Sequence, residues 1–396
     1  MWDFTSPQKV IFGEDALKYL SYQKFQHVFL VTDPTMKELH FSKIADQLKE
    51  AKITIFDEIP GEPTLDIVRK GAKIVANLKP SPDVMIALGG GSVMDTAKGI
   101  RAMWADPELD IEALDPFKKM RIREKTKCSM ISIPTTSGTG ADVTWSTVLT
   151  DLSEAVPRKH SVANRELVPD IAILDPIFTE TMPIQLMVGT GFDALCHAID
   201  AYLSSWRNDF ADAVARHAFL LLWQNLPIAF KQAKSSGTVD VEIREKLHNA
   251  ATMAGMAQSN AQVIISHCLA HSVGSIFNLP HSLLIGTMCW YSLMYNKDTE
   301  TQRIADLARL VSLDGSSSSE LAISLINSFK ELLIQLKMPL SLKDMNISRE
   351  QYEANLESLV NYAENDSGSL SNPRDADYND FVKIFEYAYE GKEIDF

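Results

Sequence analysis

Cysteine is scarce in this chain: Cys128, Cys196, Cys268 and Cys289 are the only four in 396 residues. They lie far apart and mostly inside apolar runs, which excludes a disulfide scaffold or a zinc knuckle and fits a reducing cytoplasm. No window reaches the ~18 apolar residues a membrane span requires. Met1-Trp2-Asp3-Phe4 lacks the basic stretch and apolar core of an export signal, so neither membrane insertion nor export is expected. Positive charge is also in short supply. With 38 Lys and Arg against 52 Asp and Glu, the net charge of −14 repels polyanions and makes nucleic acid a poor partner. The few basic clusters, Lys118-Lys119 and Arg123 with Lys125 and Lys127, are short and sit among acids, as a solvated surface does. The G-x-G-x-x-G spacing of the standard dinucleotide turn is absent, as is any internal repeat.

What is present is an ordinary globular composition, 45% hydrophobic and 23% charged, in a chain long enough to split into two domains. In the first half, short apolar runs alternate with helical patterns. His27–Thr32, Ile53–Phe56, Val84–Leu88, Met130–Ile133 and Ile171–Leu174 read as buried strands of a parallel α/β sheet. From about Pro183 long helical periodicities take over, at Asp209–Gln232, Val241–Ser259 and Ser319–Lys337, so the second half is expected to be all-α. The domains are therefore placed at 1–182 and 183–396.

Three stretches carry chemistry. Gly89-Gly90-Gly91 leaves a strand and opens a helix, where backbone N–H groups and the helix dipole can receive a phosphate. A bare tight turn would use the same glycines. Ser92 is the expected N-cap, and Lys98, farther along the helix, supports the phosphate reading. Pro134-Thr135-Thr136-Ser137-Gly138-Thr139-Gly140 leaves another strand and offers hydroxyls to a nucleotide, or is simply a loop. Asp33 ends the first strand. It can accept from a ribose 2′-hydroxyl and repel a 2′-phosphate, favouring NAD over NADP, or it can merely start a turn with Pro34. In the second half Asp193 and His197 stand i, i+4 on one helix face, and His267, His271 and His281 form the only cluster among nine histidines. Imidazoles with one carboxylate suit Zn²⁺ or Fe²⁺ better than Mg²⁺ or Ca²⁺, and spacing alone does not choose between the two.

Taken together, GGGSVMDTAK at 89–98, PTTSGTGADVT at 134–144, GFDALCHAIDAY at 191–202 and the histidine stretch ending in Pro280-His281 resemble the iron-containing (group III) alcohol dehydrogenase family. The likeness runs to Asn372-Pro373-Arg374. It implies an α/β dinucleotide-binding domain with an all-α C-terminal domain, the dehydroquinate synthase-like architecture, and an active cleft between them. It also implies a homodimer or larger homo-oligomer. By motif position, Asp193, His197, His267 and His281 would be the metal ligands, for Fe²⁺ with Zn²⁺ as the alternative. His271 would be a non-ligand histidine beside the nicotinamide, able to relay a proton. Gly90, Gly91 and Ser92 would meet the pyrophosphate of NAD, and Asp95 would lie near the nicotinamide end. Thr135 and Thr136 would meet the adenine side, Thr139 and Thr144 the diphosphate or nicotinamide, and Lys159 the cofactor. Trp145, Ser146, Gln258 and Val263 would line the substrate pocket.

The chain departs from the family pattern at Ser272, where a proline is usual, at Ser282, where a glycine is usual, and at Gln258, where a phenylalanine is common. The last suggests a polar pocket for a short hydroxylated or anionic aldehyde, with Arg374, Lys159 or Gln258 as donors. The expected activity is a metal-dependent, NAD(H)-linked dehydrogenase of a small primary alcohol, or reductase of its aldehyde. The alternatives are a glycerol-type polyol dehydrogenase, a lyase like dehydroquinate synthase, and a non-catalytic self-associating scaffold.

Overall fold

The computed structural model describes residues 3–61, 63–111, 114–152 and 158–396, without side chains at 158–160. The chain divides into two compact units, Met1–Met182 and Pro183–Phe396.

The first unit carries strands β1 (Lys9–Phe12), β2 (His27–Thr32), β3 (Lys52–Phe56), β4 (Val84–Gly89), β5 (Ser129–Pro134), β6 (Ser146–Asp151), β7 (Arg158–Ala163) and β8 (Ile171–Leu174), with helices α1 (Pro34–Gln47), α2 (Leu65–Asn77), α3 (Gly91–Ala105) and α4 (Ile122–Thr126). Six strands form a parallel sheet in the order β1-β8-β5-β4-β2-β3, and β6 and β7 pair apart as an antiparallel hairpin. Strands β2 and β4 are buried along their whole length, as expected where helices cover both faces of a parallel sheet. Their side chains alternate accordingly. Phe29, Val31, Met85, Ala87 and Met130 join a core with Val68, Ala72 and Val75 of α2 and Ala97 and Ile100 of α3. Val28, Leu30, Ile86, Leu88, Ile131 and Ile173 join a second core with Leu17, Leu20, Ile44 and Phe178.

The order matters for function. From β2 the chain moves outward to β3, then crosses back to β4 on the other side of β2. The carboxyl ends of β2 and β4 therefore border a topological switch point, where open α/β sheets bind ligands. Asp33 follows one of these ends and Gly89 closes the other.

The second unit has no strand among its described residues. Its helices are α5 (Ile184–Leu203), α6 (Asp209–Ser236), α7 (Val241–Ala261), α8 (Ile265–Phe277), α9 (His281–Asn296), α10 (Thr301–Leu310), α11 (Ser318–Gln335), α12 (Arg349–Glu364) and α13 (Tyr378–Glu390). The expected parallel α/β half and all-α half are both found. The strand reading missed β1, a four-residue sheet edge, and the β6–β7 hairpin. No helix among the described residues is long and apolar enough to cross a membrane.

Candidate functional site

In the second unit, α5 positions Asp193 and His197, the start of α8 positions His267, and His281 is the first residue of α9. Three imidazole Nε2 atoms surround one carboxylate oxygen, Asp193 Oδ1: His197 and His267 at 3.7 Å and His281 at 3.3 Å. Asp193, His197 and His267 each offer a donor atom within 4.8 Å of the others. A glycine permits this convergence. A Cβ at Gly189 would lie 2.7 Å from Ser282 Cβ and 2.8 Å from Ser282 O, so its absence lets α5 meet the first turn of α9, which carries His281.

The cluster is nearly dry on one side and open on the other. The side chains of Asp193, His197 and His267 are 3–7% exposed, whereas His281 is 35% and His271 40% exposed. Asp193 Oδ1 and His267 Nε2 are buried with no hydrogen-bond partner, a costly arrangement unless a cation completes it. Burial alone would raise the Asp193 carboxyl, yet His197, His267 and His281 hold it well below the usual carboxylate range. Burial pushes His197 down to about 4 and also lowers His281. Burial would lower His267 too, but the neighbouring carboxylates of Asp193 and Asp200 lift it to about 9. Three imidazoles, one carboxylate and a single open side fit a borderline divalent ion that keeps a position for substrate.

Sequence reasoning missed Asp200. Fully buried one turn beyond His197, it accepts from His267 Nδ1 at 2.7 Å, from Ile264 N at 3.1 Å and from Ser266 Oγ. With Nδ1–H committed to Asp200, His267 turns Nε2 toward Asp193, the nitrogen whose lone pair a cation would take by displacing its proton. The signal was available, because 193, 197 and 200 follow i, i+4, i+7 on one helix face. Asp200→Asn leaves at best a neutral amide oxygen where a carboxylate holds His267, and the loss of that charge is expected to weaken Fe²⁺ or Zn²⁺ binding ~10–100-fold. Calorimetric titration of the metal-free protein checks this, and an unchanged affinity would reject it. A second missed acid, Asp366, accepts from His271 Nδ1 at 2.8 Å. Burial opposes its ionisation, but His271 holds its carboxyl down to about 2.

In the first unit the structure brings Gly90 and Gly91, after β4, beside Thr136 and Thr139, after β5. A Cβ at Gly90 would sit 3.5 Å from Thr136 Cγ2, and one at Gly91 2.9 Å from Thr139 Cγ2. Thr136 and Thr139 are half-buried beside the glycine turn, while Thr135 is buried and its N–H donates to Gly89 O at 3.0 Å. The helix starts earlier than expected. Gly90, not Ser92, is the N-cap, because its extended backbone turns its carbonyl to Val93 N and Met94 N, leaving Ser92 in the first turn. Lys98 corrects the phosphate argument as well. It is fully buried and donates to Thr144 Oγ1 at 2.9 Å and Ser146 O at 2.8 Å, tying α3 to the segment that enters β6. Burial lowers it to about 8. Asp95, raised by burial to about 6, holds Val148 N through Oδ2 at 2.9 Å.

Asp33 Oδ1 accepts from Met36 N at 2.9 Å, capping α1 with Pro34 in its first turn. The side chain of Lys159 lies outside the described residues. Trp145 and Ser146 are half-buried in the first unit, as are Gln258 on α7 and Val263 ahead of α8 in the second. Arg374 is not a spare pocket donor, since Nη1 donates to Tyr295 O at 2.9 Å and Phe396 O at 3.1 Å, with the guanidinium over the Tyr295 ring. Ser272 accounts for its own departure by donating to Leu359 O at 2.7 Å, which ties α8 to α12.

Residues 7–176 match the family described as iron-containing alcohol dehydrogenase, and residues 187–389 match the C-terminal domain of the same family. The chain belongs to the iron-containing alcohol dehydrogenase family. It is therefore an oxidoreductase acting on alcohols. The chain is 35% identical to an NADPH-dependent butanol dehydrogenase of Clostridium saccharobutylicum, with all of both chains covered. It is 31% identical to a 1-propanol dehydrogenase of Citrobacter freundii, covering 98% of this chain and 99% of that one. Among solved structures, a 1,3-propanediol oxidoreductase superposes with TM-score 0.87 at 27% identity, covering 98% and 100% of the two chains. An iron-containing alcohol dehydrogenase from Thermococcus thioreducens gives 0.86 at 29%, covering 99% and 100%. In this alcohol dehydrogenase the three-imidazole, one-carboxylate cluster is the feature that suits the family's iron.

Proposed function

We propose that this alcohol dehydrogenase is NAD(H)-linked and interconverts short primary alcohols and aldehydes, acting as an aldehyde reductase where NADH is plentiful. The observation that carries the reading is the buried cluster of Asp193, His197 and His267, joined by the partly exposed His281, with Asp193 Oδ1 and His267 Nε2 unpartnered. A divalent ion held there, Fe²⁺ with Zn²⁺ as the alternative, supplies a Lewis acid that acidifies an alcohol hydroxyl and polarises an aldehyde carbonyl. Asp193 contributes the neutralising charge, and the partly exposed edges of His271 and His281 leave the substrate its approach. His271, held by Asp366, takes up the hydroxyl proton. At the switch point the first turn of α3 offers N–H groups and the positive end of the helix dipole to the diphosphate.

Asp33 at the end of β2 favours the ribose hydroxyls of NAD and repels the 2′-phosphate of NADP, although the butanol dehydrogenase relative is named for NADPH. Asp33→Gly removes the charge and costs only a few tenths of a kcal/mol as a cap. Restoring about one screened charge contact, ~1.4 kcal/mol or tenfold, it is expected to raise the NADPH-to-NADH ratio of kcat/KM about tenfold. Steady-state kinetics with both cofactors check it, and an unmoved ratio would remove Asp33 from cofactor choice.

For substrate, the butanol and 1-propanol dehydrogenase relatives support a short primary alcohol. With Arg374 committed elsewhere, the anionic aldehyde loses one of its three proposed donors, while Gln258 still favours a neutral hydroxylated substrate. That observation supports a polyol reading as second choice. Turnover of butanal, hydroxypropanal and an acidic short aldehyde with NADH separates the cases. The proposal expects the first two to exceed the acidic one, and a preference for the acidic aldehyde would reject it.

A further inference from the structure

The segment that follows α12 is clamped against the start of α8 more firmly than a surface turn requires. Ser371 Oγ donates to Val263 O at 2.5 Å and Ser369 Oγ to Cys268 Sγ at 3.4 Å. A Cβ at Gly368 would meet Cys268 Sγ at 2.9 Å and Ile264 O at 3.1 Å, so the backbone of the segment lies directly on α8. The clamp fixes Asp366, which divides its carboxylate between two tasks. Oδ1 accepts from Gly368 N at 3.0 Å and caps the short turn Ser367–Ser371. Oδ2 accepts from His271 Nδ1 at 2.8 Å, across 95 residues of sequence. A cap needs only the first oxygen. The second reaches a ring packed 5.2 Å from His281 and 5.9 Å from His267, centroid to centroid.

We infer that Asp366 is the positioning residue for His271, keeping the imidazole in the Nδ1–H tautomer with Nε2 as the proton acceptor. The inference rests on the reading of His271 as the group that takes up the hydroxyl proton. In alcohol oxidation the carbinol carbon gives a hydride to the nicotinamide of NAD⁺ and the hydroxyl gives a proton to His271 Nε2. The half-exposed ring then passes that proton to water, and Asp366 stays a carboxylate throughout. A carboxylate that orients an imidazole and stabilises its cation without itself being protonated is a recurrent catalytic device.

Asp366→Asn separates the two tasks. The amide oxygen can still cap at Gly368 N, while the amide nitrogen donates to His271 Nδ1 and forces the proton onto Nε2. Asp366→Asn, His271→Gln and the double variant would be compared after loading with the same metal, recording metal content, KM and kcat. We expect Asp366→Asn and His271→Gln each to lower kcat ~10²-fold or more, as loss of a general acid–base does, with metal content and alcohol KM little changed. In the His271→Gln background, Asp366→Asn should cost less than about twofold, because residues acting as one unit are not additive. If Asp366→Asn cost the same factor in both backgrounds, or kept wild-type kcat while His271→Gln lost it, Asp366 would serve only as a cap. If His271→Gln itself kept wild-type kcat, the reading of His271 would fall, an outcome distinct from the first two.

Discussion

Replacing His267 by alanine is expected to lower turnover at least ~10³-fold, since a Lewis acid supplies several kcal/mol of transition-state stabilisation and each 1.36 kcal/mol is about tenfold. Affinity for NADH should stay within about twofold, because the residues proposed for the diphosphate, Gly90 and Gly91, are a separate set from those proposed for the ion. The effect should exceed the loss of one packing contact. His267 Nε2 faces Asp193 Oδ1 at 3.7 Å, its ring stacks on His197 at 4.6 Å between centroids, and its Nδ1 engages buried Asp200. Its removal therefore leaves Asp193 and Asp200 both short of a partner. Metal content by elemental analysis, turnover and NADH binding by fluorescence, all on one preparation, test the expectation. Normal turnover would show that His267 is not a ligand.

Gly91→Ala should give the opposite pattern. The added Cβ would stand 2.9 Å from Thr139 Cγ2 and 3.1 Å from Thr139 Oγ1, so the threonine must yield or the turn must open. Either way a methyl group occupies the surface that the diphosphate needs to approach. Losing one charge-assisted bond of about 1.5–3 kcal/mol predicts ~10–100-fold weaker NADH binding at 1.4 kcal/mol per tenfold. Metal content should not change, and turnover at saturating NADH should fall much less than in His267→Ala. Isothermal titration with NADH reads the first quantity directly. An unchanged dissociation constant would place the diphosphate away from the glycine turn.

The contrast between these two variants reflects what the sequence made legible. Strands buried on both faces advertise themselves as unbroken apolar runs, so β2, β4 and β8 could be located closely, whereas β1 is a four-residue edge strand with exposed Phe12 and Lys9 and lacks that signature. The proposed metal ligands were legible because two share a helix face and the others recur in one histidine stretch. Their orienting acids were harder to find. Asp200 lay on the helical repeat of Asp193 and His197 and went unread, while Asp366 reaches His271 only through the tertiary fold. Long polar side chains were the least legible of all. Lys98 and Arg374 both looked available for an anion, and both are engaged in holding backbone carbonyls or hydroxyls of their own unit. A sequence shows that such a charge exists, but only packing shows which carbonyl it satisfies.

Asp193, His197, His267 and His281 are proposed to grip together one divalent ion that turnover requires. Anaerobic titration of chelator-stripped protein with Fe²⁺ or Zn²⁺, following bound metal and NADH-linked aldehyde reduction in the same samples, tests it most directly. Activity is predicted to rise in proportion to bound metal and to level off at a single ion per chain. Brisk turnover by protein that carries no metal would contradict it.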